Sequence, residues 1–366
     1  MRLLYLVKKE FIEIFRQREI LPFIFISPII QIVLFGYVVT TDIKNVPVEI
    51  VNYSNSATAE RIIRRINSSP LFNVKKISAS EADPKLVLKK GKLSAVILFR
   101  DSDSGNLTSS MPEVQVLMDG VDSNTSSLAA GYVAGIIRRY FLEELKNMGI
   151  KMPVENRTLI RFNPELKSIN YMGPGIVALL LTILSLFLTS LSIVREKVQQ
   201  TMDTLLVSRL SPVEIYIGKA MPMMLIGIFN MIVGTAVVVL WFGIPVRGNM
   251  IYMLITAIIF LCALLSYALF ISTVASTEQQ ALFFSWFSMV TFIMLAGLFT
   301  PVENIPAAVR FFSDIDPVRY LIKIIREIFI KGNGITYFYK DLIILAGIAT
   351  VVLSVSLFNF RRLVRK

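Results

Sequence analysis

No histidine occurs in the 366 residues and cysteine occurs once. His-based catalytic triads, zincin-type metal sites and Cys-rich zinc or iron–sulfur sites therefore lack their ligands, and a disulfide within one chain cannot form. Charge is scarce as well. Asp, Glu, Lys and Arg make up 17% of the chain and hydrophobic residues 54%, against roughly 25% and 45–50% in soluble domains, which argues against an ordinary cytosolic enzyme. A G-x-x-x-x-G-K-[ST] phosphate loop is also missing. Gly91-Lys92 and Gly218-Lys219 have neither the upstream Gly nor the following hydroxyl residue, so the chain cannot hold ATP in that way. What charge there is leans basic, 38 Lys and Arg against 26 Asp and Glu. That balance suits nucleic acid, anionic headgroups or a positive-inside topology equally, and the apolar pattern has to choose among them.

The apolar residues gather in six stretches free of Asp, Glu, Lys and Arg: 20–41, 168–194, 220–246, 248–277, 279–302 and 342–360. About 20 helical residues cross the roughly 30 Å hydrocarbon layer, and lipid offers no partner to a free backbone amide, so each stretch reads as a transmembrane helix. Soluble core helices of that length nearly always carry charge on an outer face. The expected spans are 20–41, 168–194, 220–246, 248–277, 279–300 and 341–360. A membrane with no nucleic acid is therefore the predicted setting.

Residues 1–19 are not a cleavable signal, because Lys8, Lys9, Glu10, Glu13, Arg16 and Arg18 interrupt any apolar core. Leu3, Leu4, Val7, Phe11, Ile14 and Phe15 recur at helical spacing, the pattern of an amphipathic helix lying along a membrane surface or packed on other helices. Residues 42–167 have ordinary soluble composition and form a separate domain. Val48–Tyr53, Leu93–Phe99 and Val114–Met118 read as strands, and Ala59–Asn67, Ser80–Lys90 and Ser123–Met148 as helices. The fold class is thus membrane α-helical with six transmembrane helices and a mixed α/β extracytoplasmic domain inserted between the first and second.

Basic residues set the orientation. Five Lys and Arg precede residue 20, four lie in 195–219 and four in the basic tail 361–366, and with six spans all three segments share one side, the cytoplasm. The 301–340 segment carries Arg310, Arg319, Lys323, Arg326, Lys331 and Lys340 yet falls outside, so surface or re-entrant helices are expected there. Arg319, Lys323 and Arg326 recur at i, i+4, i+7 on such a helix. They read either as contacts for anionic headgroups or substrates near an outer gate or as a solvated, snorkelling face.

The spans hold no internal Asp, Glu, Lys or Arg, Asp341 standing at the edge of the last, whereas ion-driven carriers generally keep such groups to relay the coupling charge. Unless sodium is held by backbone carbonyls, work to move something uphill must come from another polypeptide docked on a cytoplasmic surface. The segment 195–219 is long enough to receive one or else is a simple interfacial helix without a partner. Within it, Thr201–Val207 can form a short helix exposing Leu205 and Leu206, and Ser211, Pro212 and Glu214 form a capping box that starts a new helix.

At this segment the sequence resembles the ABC type-2 permease family, the membrane subunits of bacterial drug- and lipid-type ABC exporters. Arg195-Glu196, Thr201, Leu205-Leu206, Leu210-Ser211-Pro212 and Gly218-Lys219 are similar to the family's ordered motifs. The chain departs from them at Gln200, where Gly is usual, and at Arg209, where Pro is common. Met118-Asp119-Gly120, Phe162-Asn163-Pro164-Glu165, Gly173-Pro174-Gly175, Pro301-Val302-Glu303-Asn304, Asp316-Pro317-Val318-Arg319-Tyr320 and Ile325-Arg326-Glu327 resemble further family segments in the same order.

The resemblance implies an exporter half: two permeases, identical or closely related, with two separately encoded ABC ATPase subunits that carry the ATP and Mg. This chain itself would hold no cofactor or metal and have no catalytic residue. Arg195, Glu196, Thr201, Leu205, Leu206, Ser211, Pro212 and Glu214 would form the ATPase-coupling element, with Glu196, Leu205 and Leu206 as the leading contacts. The implied location is the bacterial cytoplasmic (inner) membrane, with both termini inside, membrane lipids around the spans and a periplasmic adaptor as a further candidate partner. A second reading is a membrane-anchored envelope receptor or scaffold that uses the external domain without transport.

Overall fold

The computed structural model describes residues 2–18, 20–38, 45–54, 56–79, 88, 93–101, 112–119, 123–149, 161–163, 167–202, 207, 210–299 and 302–365. The chain divides into two compact units, one of residues 1–40 with 160–366 and one of residues 41–159.

The smaller unit is a four-stranded sheet ordered β2-β1-β3-β4, with β1 at Val46–Asn52, β2 at Phe72–Ser78, β3 at Ala95–Asp101 and β4 at Pro112–Met118. β1 runs parallel to both β2 and β3, and β3 pairs antiparallel with β4. The central strands β1 and β3 are buried on both faces, as parallel strands covered on each side are. One face packs Val48, Ile50 and Ile97 against Ile62 and Ile66 of α4 (Ala57–Asn67) and against Val133 and Tyr140 of α5 (Ser123–Asn147). The other face gathers Val51, Leu93, Val96 and Leu98. Arg65 of α4 donates to Glu143 of α5 at 2.7 Å, and this bond holds the Glu143 carboxyl below its ordinary range. Sequence reading missed β2, whose Lys75-Lys76 pair breaks the alternation expected of a strand; as an edge strand it tolerates that charge. The helix expected at Ser80–Lys90 lies outside the described residues except at Leu88.

The larger unit is helical. α1 (Arg2–Arg16) is followed by α2 (Leu21–Phe25) and α3 (Ser27–Val38). Later come α6 (Ser168–Val198), α7 (Pro212–Phe242), α8 (Met250–Val274), α9 (Glu278–Leu295), α10 (Ala307–Asp314), α11 (Pro317–Arg326) and α12 (Ile335–Arg365). Among the described residues, α6, α7, α8 and α12 are long and apolar enough to cross a membrane. The first expected span differs: it is two helices broken at Ile26, because Pro28 has no N–H to donate to the carbonyl four residues back and fits best near a helix start. The fifth, α9, is an 18-residue helix opening on Glu278 and two glutamines.

α6 is the hub, its apolar window 72% buried, whereas that of α12 is only 17% buried and lies at the periphery. The segment expected as surface or re-entrant helices contains α10 and α11. α11 is N-capped by Asp316, which accepts from the Val318 amide at 2.9 Å, and starts on Pro317. Its apolar side, with Val318, Leu321, Ile322, Ile324 and Ile325, is sunk against the long helices. A π-helical turn, Glu327–Lys331, follows. The α7–α8 connection sits on that turn, with the Arg247 amide donating to the Phe329 carbonyl at 3.3 Å.

Gly248 makes this contact possible, since a Cβ there would stand 2.7 Å from the Ile328 carbonyl oxygen, a backbone atom that cannot rotate away. Gly347 of α12 has nothing within 4 Å of the same position. Gly248→Ala is therefore expected to destabilise the full chain by about 1–3 kcal/mol through overpacking, while Gly347→Ala leaves the melting temperature unchanged or raised. Thermal melts of both variants in detergent check the contrast.

Candidate coupling site

α6 ends on Arg195-Glu196-Lys197. Successive helical residues are about 100° apart, so three consecutive side chains face three different neighbours. Arg195 donates through Nη1 to Gln17 Oε1 at 2.6 Å and through Nε to Glu278 Oε2 at 3.3 Å, reaching the first turn of α9. Lys197 Nζ donates to the carbonyls of Ser272, Thr273 and Ala275 at 3.1, 2.6 and 3.2 Å. It thus satisfies and neutralises the negative end of α8. One turn below, Ser272 Oγ accepts from the Ile193 and Val194 amides at 3.0 and 2.9 Å.

Glu196 points into the interior and is 2% exposed. Its Oε1 receives both Lys9 of α1 and Lys219 of α7 at 2.9 Å. Lys219, 1% exposed, also meets Glu10 Oε1 at 3.2 Å. Lys9 contacts Glu10 and Glu13 at 3.0 and 2.9 Å. Glu10, Glu13 and Glu196 bring carboxylate oxygens within 4.8 Å of one another, close enough for a metal ion, but the two ammonium groups already supply the positive charge. Burial works against the charge on Lys9, yet its hydrogen bond to Glu13 and the nearby Glu10 and Glu196 carry its pKa above the ordinary lysine value. A raised lysine contributes fully below its unfolded pKa and loses that contribution only as pH climbs through the higher folded value. The tie through Lys9 is therefore insensitive to pH throughout the neutral range.

The approach of α1 to α7 depends on Gly218, where a Cβ would lie 2.3 Å from Leu6 Cδ2. Leu6 and Glu10 are four residues apart on α1 and meet Gly218 and Lys219 in turn, so the Gly-Lys pair works as one device: the first residue admits the helix and the second binds it. Beyond Lys197 the chain turns at Gln200, whose φ of 57° lies in the left-handed region. This accounts for the glycine usual at that position, which adopts the conformation without a Cβ penalty. The Thr201 amide then donates back to the Glu196 carbonyl at 2.9 Å.

The expected capping box forms in full. The Glu214 amide donates to Ser211 Oγ at 3.2 Å, the Ser211 amide donates to Glu214 Oε2 at 2.7 Å, and Pro212 occupies the first turn. Both helices run past the charge-free windows, so the connection narrows to residues 199–211. There Met202 is buried and Val207 is 87% exposed, while Leu205 and Leu206 lie outside the described residues. Arg195, Glu196, Thr201, Ser211, Pro212 and Glu214 thus belong to one end of the α6–α7 pair. Arg319, Lys323 and Arg326 belong to another place in this unit, a cavity beside α11. Lys9 and Glu10 were not assigned to the site from sequence, where the signal was the presence of both charge signs on the N-terminal helix, and Lys219 appeared there only within the Gly218-Lys219 motif.

Removing one partner of a buried ion pair leaves the other charge uncompensated, so Lys219→Met is expected to destabilise the protein by about 3–5 kcal/mol. Lys9→Met, at a half-exposed position, is expected to cost about 1 kcal/mol or less. Thermal denaturation of the purified full chain measures both, and equal losses would mean that the cluster is not centred on Lys219.

Comparison with known proteins places this geometry in context. The family described as ABC-2 family transporter protein matches residues 18–358. The chain is 28% identical over 364 residues to "Probable multidrug ABC transporter permease YbhR" of Escherichia coli (strain K12), covering 99% of this chain and 98% of that protein. It is 26% identical over 316 residues to "Probable multidrug ABC transporter permease YbhS" of the same strain, covering 84% and 83%. It is 23% identical over 362 residues to "Inner membrane transport permease YhhJ" of that strain, covering 97% and 95%. With the family pattern spanning nearly all its length and long apolar helices to match, the chain belongs to the ABC-2 family of transporter proteins and is a membrane permease.

Proposed function

We propose that this permease is half of an ATP-driven exporter that moves an amphipathic or hydrophobic cargo, drug-like or lipid-like, out of the cytoplasm or the inner leaflet. Two separate ATPase subunits dock on two permeases, this chain paired with a second copy or a close paralogue. Six membrane crossings, with α2–α3 and α9 completing the four long spans, put both termini and the α6–α7 connection in the cytoplasm.

The observation that carries the reading is the tied end of α6. Arg195, Glu196 and Lys197 bind it to α1, α7, α8 and α9, so a push on the adjoining connection is delivered to several helices at once rather than absorbed by one flexible loop. In this proposal Leu205 and Leu206 touch the ATPase. Glu196, buried among lysines, acts by holding α1 and α7 together. ATP-driven closure of the ATPase pair displaces both connections, and the tied helices carry that displacement to the transport path. The permease needs no reactive group, and the match to permeases over almost the whole chain does not favour the receptor or scaffold alternative.

Co-purification with the partner ATPase tests this. The double variant Leu205→Ala, Leu206→Ala is expected to reduce recovered ATPase by about tenfold, as removal of a buried apolar anchor does. Glu196→Ala is expected to retain the complex and lose cargo-stimulated ATP hydrolysis. Unchanged binding and activity in both variants would refute the assigned coupling element. A Val207→Cys, Cys262→Ser chain in intact cells should react with membrane-permeant maleimide only, and reaction with an impermeant reagent would reverse the topology.

A further inference from the structure

The cavity beside α11, of about 470 Å3, is lined by Arg161, Arg319, Lys323, Arg326 and Lys331, with Glu303 and Glu327 as its carboxylates. Three of these cations are already paired. Arg319 binds Asp314, Lys323 meets Asp341 at 2.8 Å, and Lys331 meets Glu327 at 2.5 Å. Glu327 is occupied further by Asn333 at 2.6 Å. Arg161 and Arg326 have no carboxylate partner among the described residues.

Arg326 is fixed rather than free. Its Nε donates to the Tyr171 carbonyl at 3.3 Å and its Nη1 to the Gly297 carbonyl at 3.2 Å. The guanidinium carbon stands 3.7 Å from the centre of the Tyr171 ring. Nη2 is buried without a hydrogen-bond partner beside Gly175, where a Cβ would come within 3.7 Å of it. Two carbonyls and an aromatic face orient the group but leave its charge unneutralised. A desolvated guanidinium stays protonated, so this arrangement stores an unmet demand for an anion.

The remaining lining is mostly apolar, with Phe162, Val302, Ile322 and Ile330 alongside Asn163 and Tyr171. Phe299, Phe311 and Phe312, in the adjoining α9–α10 segment, are exposed. A lining that combines cations with apolar side chains fits a molecule having an anionic head and a hydrocarbon body. With Nε and Nη1 donating to carbonyls and Nη2 buried beside Gly175, Arg326 offers an anion in the cavity its fixed positive charge rather than a free two-point fork.

We propose that this cavity binds the phosphate of an anionic amphiphile, with Arg326 as the anchor, Arg161 as the second free cation and the apolar walls holding the first part of the hydrocarbon chain. The inference deepens the exporter reading by naming a ligand class, and it rests on that reading only for what the bound amphiphile does in transport. The site itself stands on the unpaired cations.

Binding to the purified full chain in phosphatidylcholine nanodiscs tests it, using short-chain phosphatidylglycerol as the probe, with short-chain phosphatidylcholine and inorganic phosphate as competitors. Saturable binding of phosphatidylglycerol is expected, weakened about tenfold in Arg326→Gln, as loss of a charge-assisted contact implies. Arg161→Gln, at an exposed position with no side-chain bond among the described residues, should weaken it about threefold and so gives an answer even if the Arg326 variant misfolds. Absence of saturable binding, or equal affinity in wild type and Arg161→Gln, overturns the site. Equal competition by phosphatidylcholine overturns its preference for net negative charge, and equal competition by inorganic phosphate overturns the amphiphile. These readouts involve no ATPase, so failure here is distinguishable from failure of the coupling experiment.

Discussion

The helical unit is tied together at one end by the bond set of Arg195, Glu196 and Lys197 on α6. A carboxylate 2% exposed is costly to bury unless it is paired, and Glu196 is paired with two lysines on two other helices. The same turn sends Arg195 to α9 and Lys197 to the carbonyl end of α8. Because these three residues are consecutive, none of the neighbouring helices can shift along α6 without straining a charged contact. A buried ion cluster is weak support for stability as such, since desolvation offsets much of the attraction. Its effect here is geometric, in that it fixes which helices move together.

The opposite pattern occurs beside α11. There Arg326 is oriented by two backbone carbonyls and an aromatic ring but is left without a counter-charge. At the α6 end two lysines bridge three acids, with Glu196 Oε2 left buried without a hydrogen-bond partner; in the lining of the α11 cavity cations outnumber acids. In the proposed exporter the first site would transmit force and the second would bind a ligand.

Small residues make both arrangements possible. Gly218 lets Leu6 and its helix close on α7, and Gly248 lets the α7–α8 connection rest on the π-helical turn that follows Arg326. In a bundle with little hydrophobic drive between its helices, close approach of this kind supplies much of the packing energy. The departure from the family pattern at Gln200 is explained on the same local level, because the chain needs a left-handed residue there and this sequence meets the need with a glutamine.

Local physics made much of the molecule legible in the sequence. Long charge-free runs announced the long helices, since a helix in lipid has to satisfy its own backbone. The Ser211, Pro212 and Glu214 trio announced the start of α7 because a capping box involves only residues three apart. The spacing of Arg319, Lys323 and Arg326 announced one helix face, which the fold turns toward one cavity. Sequence alone did not reveal β2, whose charges are tolerated only at a sheet edge, or the break at Ile26, which divides an unbroken apolar run. Nor did it reveal that Glu196 faces inward. Its partners lie 187 positions away at Lys9 and on α7 at Lys219, which in turn holds Glu10 across 209 positions. Caps and periodicities are settled within a turn or two of chain, so composition and spacing determine them. Which distant charges meet is decided only when helices pack, because burial makes the pairing obligatory and the packing alone selects the partner.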